Sequence, residues 1–93
     1  MNIALISMDC VRPDYLDTPF FRKLRGESLE FTNCIVQASH TSTSHTSILT
    51  GLYPFNHGVR WLVNFSVEGK MIQEILKEEG YATAGFIGGF PLT

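Results

Sequence analysis

One run of this chain holds most of its candidate nucleophiles. Residues 37–51 read Gln37-Ala38-Ser39-His40-Thr41-Ser42-Thr43-Ser44-His45-Thr46-Ser47-Ile48-Leu49-Thr50-Gly51, with four serines, four threonines and two histidines. The run turns apolar at Ile48 and stops at a glycine. That pattern predicts a helix starting near Ser42 or Thr43 and ending at Thr50, with Gly51 as its C-terminal cap. The start of such a helix presents unbonded amides and a positive dipole end, which suit a tetrahedral anion. A threonine or serine placed there can attack phosphorus or sulfur while the amides hold the oxygens. The plainer reading is that Thr41, Ser42 or Thr43 only caps the helix. In the same spirit, His45 is a polar residue on the first turn, and His40 and His57 are loop residues.

Asp9 is the second candidate. It follows a nearly continuous apolar run, residues 3–8, of the kind that forms a strand covered on both faces. Pro13 rules out a central strand running on past it. Open α/β sheets bind ligands along the carboxyl edge of their strands, so a carboxylate there is well placed. A divalent cation on Asp9 would acidify a nearby hydroxyl and offset developing charge. The plainer reading is that Asp9 starts the turn into Pro13.

The elements that must position these residues are legible as alternating strands and helices. Thr18 reads as an N-cap, with Pro19 at the first helical position and Gly26 closing a short helix. Residues 29–36 read as a second strand that leads straight into the hydroxyl-rich run. Tyr53-Pro54-Phe55-Asn56-His57-Gly58 reads as a loop on turn chemistry. Ser66 can cap a later helix, where Met71, Ile72, Ile75 and Leu76 share one face and Gly80 ends the pattern. Residues 81–87 read as a third strand, broken by Gly88 and Gly89. Trp61 reads as packing or surface cover. The expected fold class is α/β, a mostly parallel sheet with flanking helices and right-handed crossovers. Parallel strands would bring Asp9 and the hydroxyl run to one sheet edge.

Composition narrows the function classes. The chain has 93 residues, a net charge of −2 and 44% apolar residues, enough for one small domain. With charges of both signs interspersed, there is no electrostatic case for nucleic acid or an anionic membrane. Cys10 and Cys34 make no metal-ligand spacing and read as two buried, reduced thiols. The apolar run 3–6 is too short for a signal or a membrane span, so a cytoplasmic setting is expected.

Several segments together resemble the N-terminal part of a sulfatase, in the alkaline-phosphatase-like superfamily. Ile6-Ser7-Met8-Asp9-Cys10-Val11-Arg12-Pro13-Asp14 is similar to the segment that delivers a metal-binding aspartate in that family. Thr18-Pro19-Phe20-Phe21 with Leu24 resembles its first helix, and Phe31-Thr32-Asn33 resembles "F-x-N-A-Y". Residues 71–84 resemble "I-x-x-x-L-K-x-x-G-Y-x-T-A". The central match is the signature C/S-x-P-S-R-x-x-L-L-T-G. Aligned on Ile48-Leu49-Thr50-Gly51, it sets Thr41 on the nucleophile, Thr43 on the proline, Ser44 on the serine and His45 on the arginine. Leu52-Tyr53-Pro54 with His57-Gly58-Val59 resembles "L-Y-P-x-x-H-G-V".

The resemblance implies an α/β/α sandwich, of which this chain would be the N-terminal portion. It implies a metal-dependent hydrolase of sulfate esters with Thr41 as nucleophile, His45 against the ester or Thr41, and Asp9 on the metal. Calcium is the metal implied, with manganese and zinc as alternatives. In the family the nucleophile is a cysteine or serine oxidised to formylglycine; Thr41 is not expected to be converted. An unmodified threonine suits the superfamily's phosphate mono- or diester hydrolases, which is the alternative reading. A third reading is a non-catalytic binding domain, motivated by Cys10 and His45 at positions where the pattern differs. Small-molecule esters are the expected partners. The fragment alone is expected to be inactive, and self-association is expected if apolar edges are exposed.

Overall fold

The computed structural model describes residues 1–59 and 67–88. Its elements, in order, are a 3₁₀ turn Pro13–Tyr15, α1 Pro19–Glu27, α2 Thr41–Thr50, α3 Pro54–His57 and α4 Ile72–Glu78. Among the described residues none belongs to a strand. The expected α/β architecture with a mostly parallel sheet is therefore not what the described residues form. Residues 3–8, 29–36 and 81–87 carry strand-like composition but are irregular. A strand needs a hydrogen-bonded neighbour, and composition reports propensity without supplying that neighbour. Their large apolar side chains are accordingly exposed, Ile6, Ile35 and Phe86 at 81%, 82% and 96%.

The chain divides into two units, Met1–Cys34 and Ile35–Thr93. In the first, α1 begins as its sequence predicts. Pro19 occupies the first turn, and the Thr18 hydroxyl accepts the Phe21 N–H at 3.4 Å. The helix runs one residue past Gly26, and the Ser28 hydroxyl donates to the Leu24 carbonyl at its end. Phe20 and Phe21 meet edge to face at 5.3 Å. Arg12–Asp14 and Arg22–Asp17 ion pairs, each 2.7 Å, lie on the surface, where such pairs contribute about 0–1 kcal/mol. Both cysteines are free and exposed, not buried as expected.

In the second unit α2 packs with α3 and with α4. The buried residues are mostly polar: Ser42, Thr43, Thr46, Ser47 and His57. Val59 is the one buried apolar residue among those described. α4 is closed at its start by Glu74, whose carboxylate accepts the Met71 N–H at 2.8 Å. Its expected apolar face is only partly covered: Met71 and Leu76 are half-buried, while Ile72 and Ile75 are exposed. The expectations for Trp61 and Ser66 lie outside the described residues. Among those described, no helix is long and apolar enough to cross a membrane.

Gly51 closes α2 as the sequence predicts. Its φ is 70°, and its N–H donates to the Ser47 carbonyl at 2.9 Å. A Cβ added there meets nothing within 4 Å, so only the left-handed backbone opposes a side chain. Gly51→Ala is expected to cost about 1 kcal/mol. Urea unfolding checks this; an unchanged midpoint would refute the left-handed cap.

Candidate functional site

α2 starts one to two residues earlier than its sequence predicts, and this changes the standing of Thr41. His40 is the N-cap, with extended backbone and no side-chain capping bond. Thr41 is the first helical residue. The first intrahelical amide bond at this end runs from Ser44 N–H to the His40 carbonyl, 2.9 Å. The amides of residues 41–43 precede that bond, so none has an acceptor within the helix. Thr41 is therefore not the cap, and it sits at the positive end of the helix dipole.

The eight hydroxyls of the run are not equivalent. Thr46 Oγ1 donates to the Ser42 carbonyl and Thr50 Oγ1 to the Thr46 carbonyl, both at 2.7 Å. These two are spent on the backbone one turn back. Ser47 Oγ pairs with the His57 ring at 2.9 Å. Ser42 Oγ and Thr43 Oγ1 are buried without a hydrogen-bond partner. Buried unpaired hydroxyls are costly, about 1–3 kcal/mol each, and are uncommon outside functional places. They directly follow Thr41 on the chain.

His45 lies one turn beyond Thr41. Its Nδ1 is 2.9 Å from the Thr41 carbonyl oxygen. A carbonyl only accepts, so Nδ1 carries the proton, and in the neutral ring Nε2 presents a lone pair. Thr41 and His45, paired from sequence, are thus brought together, and both are half-buried.

Asp9 belongs to the first unit, whereas Thr41 and His45 belong to the second. The shared sheet edge that was to unite them requires strands, which the described residues do not form. Asp9 is exposed, and the Cys10 thiol donates to its Oδ2 at 3.3 Å. Cys10 adopts φ 57°, uncommon for a residue with a side chain. The hydrogen bond it gives to Asp9, and then the negative charge of Asp9, push the Cys10 thiol pKa up. A protonated thiol is a poor metal ligand. Among the described residues no three His, Cys, Asp or Glu side chains come together to hold a metal. Calcium takes about 6–8 oxygen ligands. The described residues alone do not make that cage.

His57 is the residue that sequence reading missed. It closes α3 instead of lying in a loop, and it is fully buried, at 0% exposure. Its Nδ1 accepts the Val59 N–H at 3.1 Å. Burial pushes its pKa below the usual imidazole range, opposed by the neighbouring Thr43 carbonyl. The available signal was the Pro54-x-x-His57-Gly58 spacing. A proline at the first turn and a left-handed Gly58 (φ 83°) bracket one helical turn, which turns His57 back toward α2.

Comparison with known proteins adds a relationship to this geometry. Residues 3–61 match the family described as type I phosphodiesterase / nucleotide pyrophosphatase. The matched span contains Asp9, Thr41, His45, Ser47 and His57. A curated relative, N-acetylgalactosamine-6-O-sulfatase of Bacteroides thetaiotaomicron, is 26% identical over 97 aligned residues. That alignment covers 98% of this chain and 19% of the relative, so the chain spans less than a fifth of that protein's length. No solved structure matches the chain significantly.

Proposed function

The chain belongs to the type I phosphodiesterase / nucleotide pyrophosphatase family, and from that premise we propose that it carries the nucleophile of a phosphate-ester hydrolase. The observation that carries this reading is Thr41 as the first residue of α2, ahead of the first intrahelical amide bond, with His45 on its carbonyl. An unmodified hydroxyl attacks phosphorus, the amides at the helix start hold the equatorial oxygens, and the ester oxygen departs. The Thr41 proton passes to water, and water later cleaves the phosphothreonine to regenerate the hydroxyl. His45, tied to the carbonyl of Thr41, orients this residue.

A sulfate ester is the second reading. It is supported by the sulfatase relative that aligns along 98% of the chain. Threonine in place of the cysteine or serine that becomes formylglycine weighs toward phosphate. The setting proposed remains cytoplasmic.

Trapping decides between the esters. On incubation with bis(4-nitrophenyl) phosphate, attack by Thr41 expels one nitrophenolate and leaves a nitrophenylphosphoryl group on the peptide holding Thr41. Mass spectrometry of quenched protein is expected to find it. Turnover of 4-nitrophenyl sulfate with no phosphoryl adduct would replace the phosphate reading by the sulfate one. Turnover of neither would favour a non-catalytic binding role.

Asp9 is proposed as one oxygen ligand of a divalent cation: calcium, with manganese and zinc as alternatives. Calorimetric titration with each ion is expected to show binding that Asp9→Ala weakens at least about tenfold. Equal binding by the variant would remove Asp9 from the metal.

A further inference from the structure

A serine hydroxyl 2.9 Å from an imidazole nitrogen invites a catalytic reading, and two observations exclude it. Ser47 is 7% exposed and His57 0%, so no ester reaches the hydroxyl. The ring also holds its proton on the wrong nitrogen for a base. Val59 N–H can only donate, so Nδ1 supplies the lone pair and the proton of the neutral ring sits on Nε2, facing Ser47 Oγ. His57 therefore donates to Ser47 and cannot deprotonate it.

Every polar group of His57 is bonded. Its N–H donates to the Tyr53 carbonyl at 3.1 Å, and its carbonyl accepts the Glu68 N–H at 2.9 Å. Nδ1 and Nε2 reach Val59 and Ser47. The side chain thus ties α2 to α3 and to Val59, and the backbone carbonyl of the same residue ties α3 to the segment before α4. Those ties are made without apolar cover, since Val59 is the one buried apolar residue described.

We propose that His57 is a positioning residue, which holds α2 through Ser47 and thereby fixes the placement of Thr41. An α-helix of ten residues moves as one body, so a displacement at Ser47 is carried to its first residue. The catalytic consequence rests on Thr41 as nucleophile; the latch itself rests on the four bonds of His57.

The test has a structural arm and a kinetic arm. Nitrogen-detected NMR of the imidazole at neutral pH is expected to show His57 protonated at Nε2 and unprotonated at Nδ1. A proton on Nδ1, or fast averaging of the two, overturns the latch. In Ser47→Ala and His57→Gln, amide signals of Thr41, Ser42 and Thr43 are expected to shift and to exchange faster. Unchanged signals there overturn the proposal even if His57→Gln unfolds, because Ser47→Ala removes less. His57→Gln keeps a donor toward Ser47 and is expected to retain more activity than His57→Asn. With bis(4-nitrophenyl) phosphate, both are expected to lower kcat by about tenfold to a hundredfold at nearly constant KM. A rise in KM alone, or equal loss in both variants, speaks against positioning. If the parent protein turns over nothing, the nucleophile reading fails while the NMR arm still decides the latch.

Discussion

A protein with alanine at position 41 is expected to lose about a thousandfold or more in kcat toward bis(4-nitrophenyl) phosphate while keeping its fold. The fold is spared because Thr41 is half-buried and does not cap α2; the N-cap is His40. The backbone carbonyl that receives His45 Nδ1 is also untouched by the substitution. The substitution removes the hydroxyl and the adjoining methyl group and leaves the backbone as it is. Thr41→Ser, which keeps the oxygen, is expected to retain measurable turnover and to form the same covalent adduct. Alanine at Thr46 or Thr50 is expected to leave kcat within about threefold, because those hydroxyls are held by helix carbonyls. Steady-state kinetics on the four variants, with circular dichroism to verify folding, checks all of this. Full activity in Thr41→Ala would move the nucleophile elsewhere.

The second large effect concerns stability. His57→Ala removes the imidazole from a fully buried place and leaves Val59 N–H and Ser47 Oγ without their partners. Unsatisfied buried groups and the space left behind together cost about 2–4 kcal/mol. That is a large share of what a small unit possesses. The same residue sets a pH dependence. Its pKa in the fold lies below the usual 6.5, chiefly because burial disfavours the charged ring. In the unfolded chain the imidazole takes up a proton near its usual pKa, whereas the folded one stays neutral to lower pH. Its contribution is therefore complete above pH 6.5 and is lost as pH falls below that value toward the depressed one. Protonation of Nδ1 also abolishes the acceptor used by Val59. Urea midpoints between pH 5 and 8 are expected to rise with pH in the parent. This slope is expected to flatten in a folded His57→Gln, and an equal slope in both would assign the dependence to another group.

Local signals in the sequence were the ones that translated into structure. Thr18-Pro19 at one helix start and Thr50-Gly51 at another helix end are set by bonds within a turn, so a few residues suffice to read them. The pairing of Thr41 with His45 is likewise a matter of one helical turn. The strands were not legible in this sense, because a strand depends on a distant partner. Ile3, Leu5, Ile35, Val36 and Phe86 have the right chemistry yet remain exposed. The link from Asp9 to Thr41 depended on those strands and fell with them as a derivation. His57 escaped for a different reason. A histidine between asparagine and glycine has the composition of a turn, and its burial depends on Ser47, ten residues earlier.

The back-bonded threonines of α2 have an electrical consequence. The hydroxyl dipoles of Thr46 and Thr50 are pinned to the Ser42 and Thr46 carbonyls. Pinned dipoles cannot rotate to follow a new charge, and a medium that cannot rotate its dipoles has a low dielectric response. Around Thr46 and Thr50 the helix is thus polar in composition and electrically stiff, whereas the buried hydroxyls of Ser42 and Thr43, which have no partner, keep their freedom to turn. A charge that arises beside these two threonines is felt at close to full strength, while one brought to the start of the helix meets hydroxyls that can turn toward it.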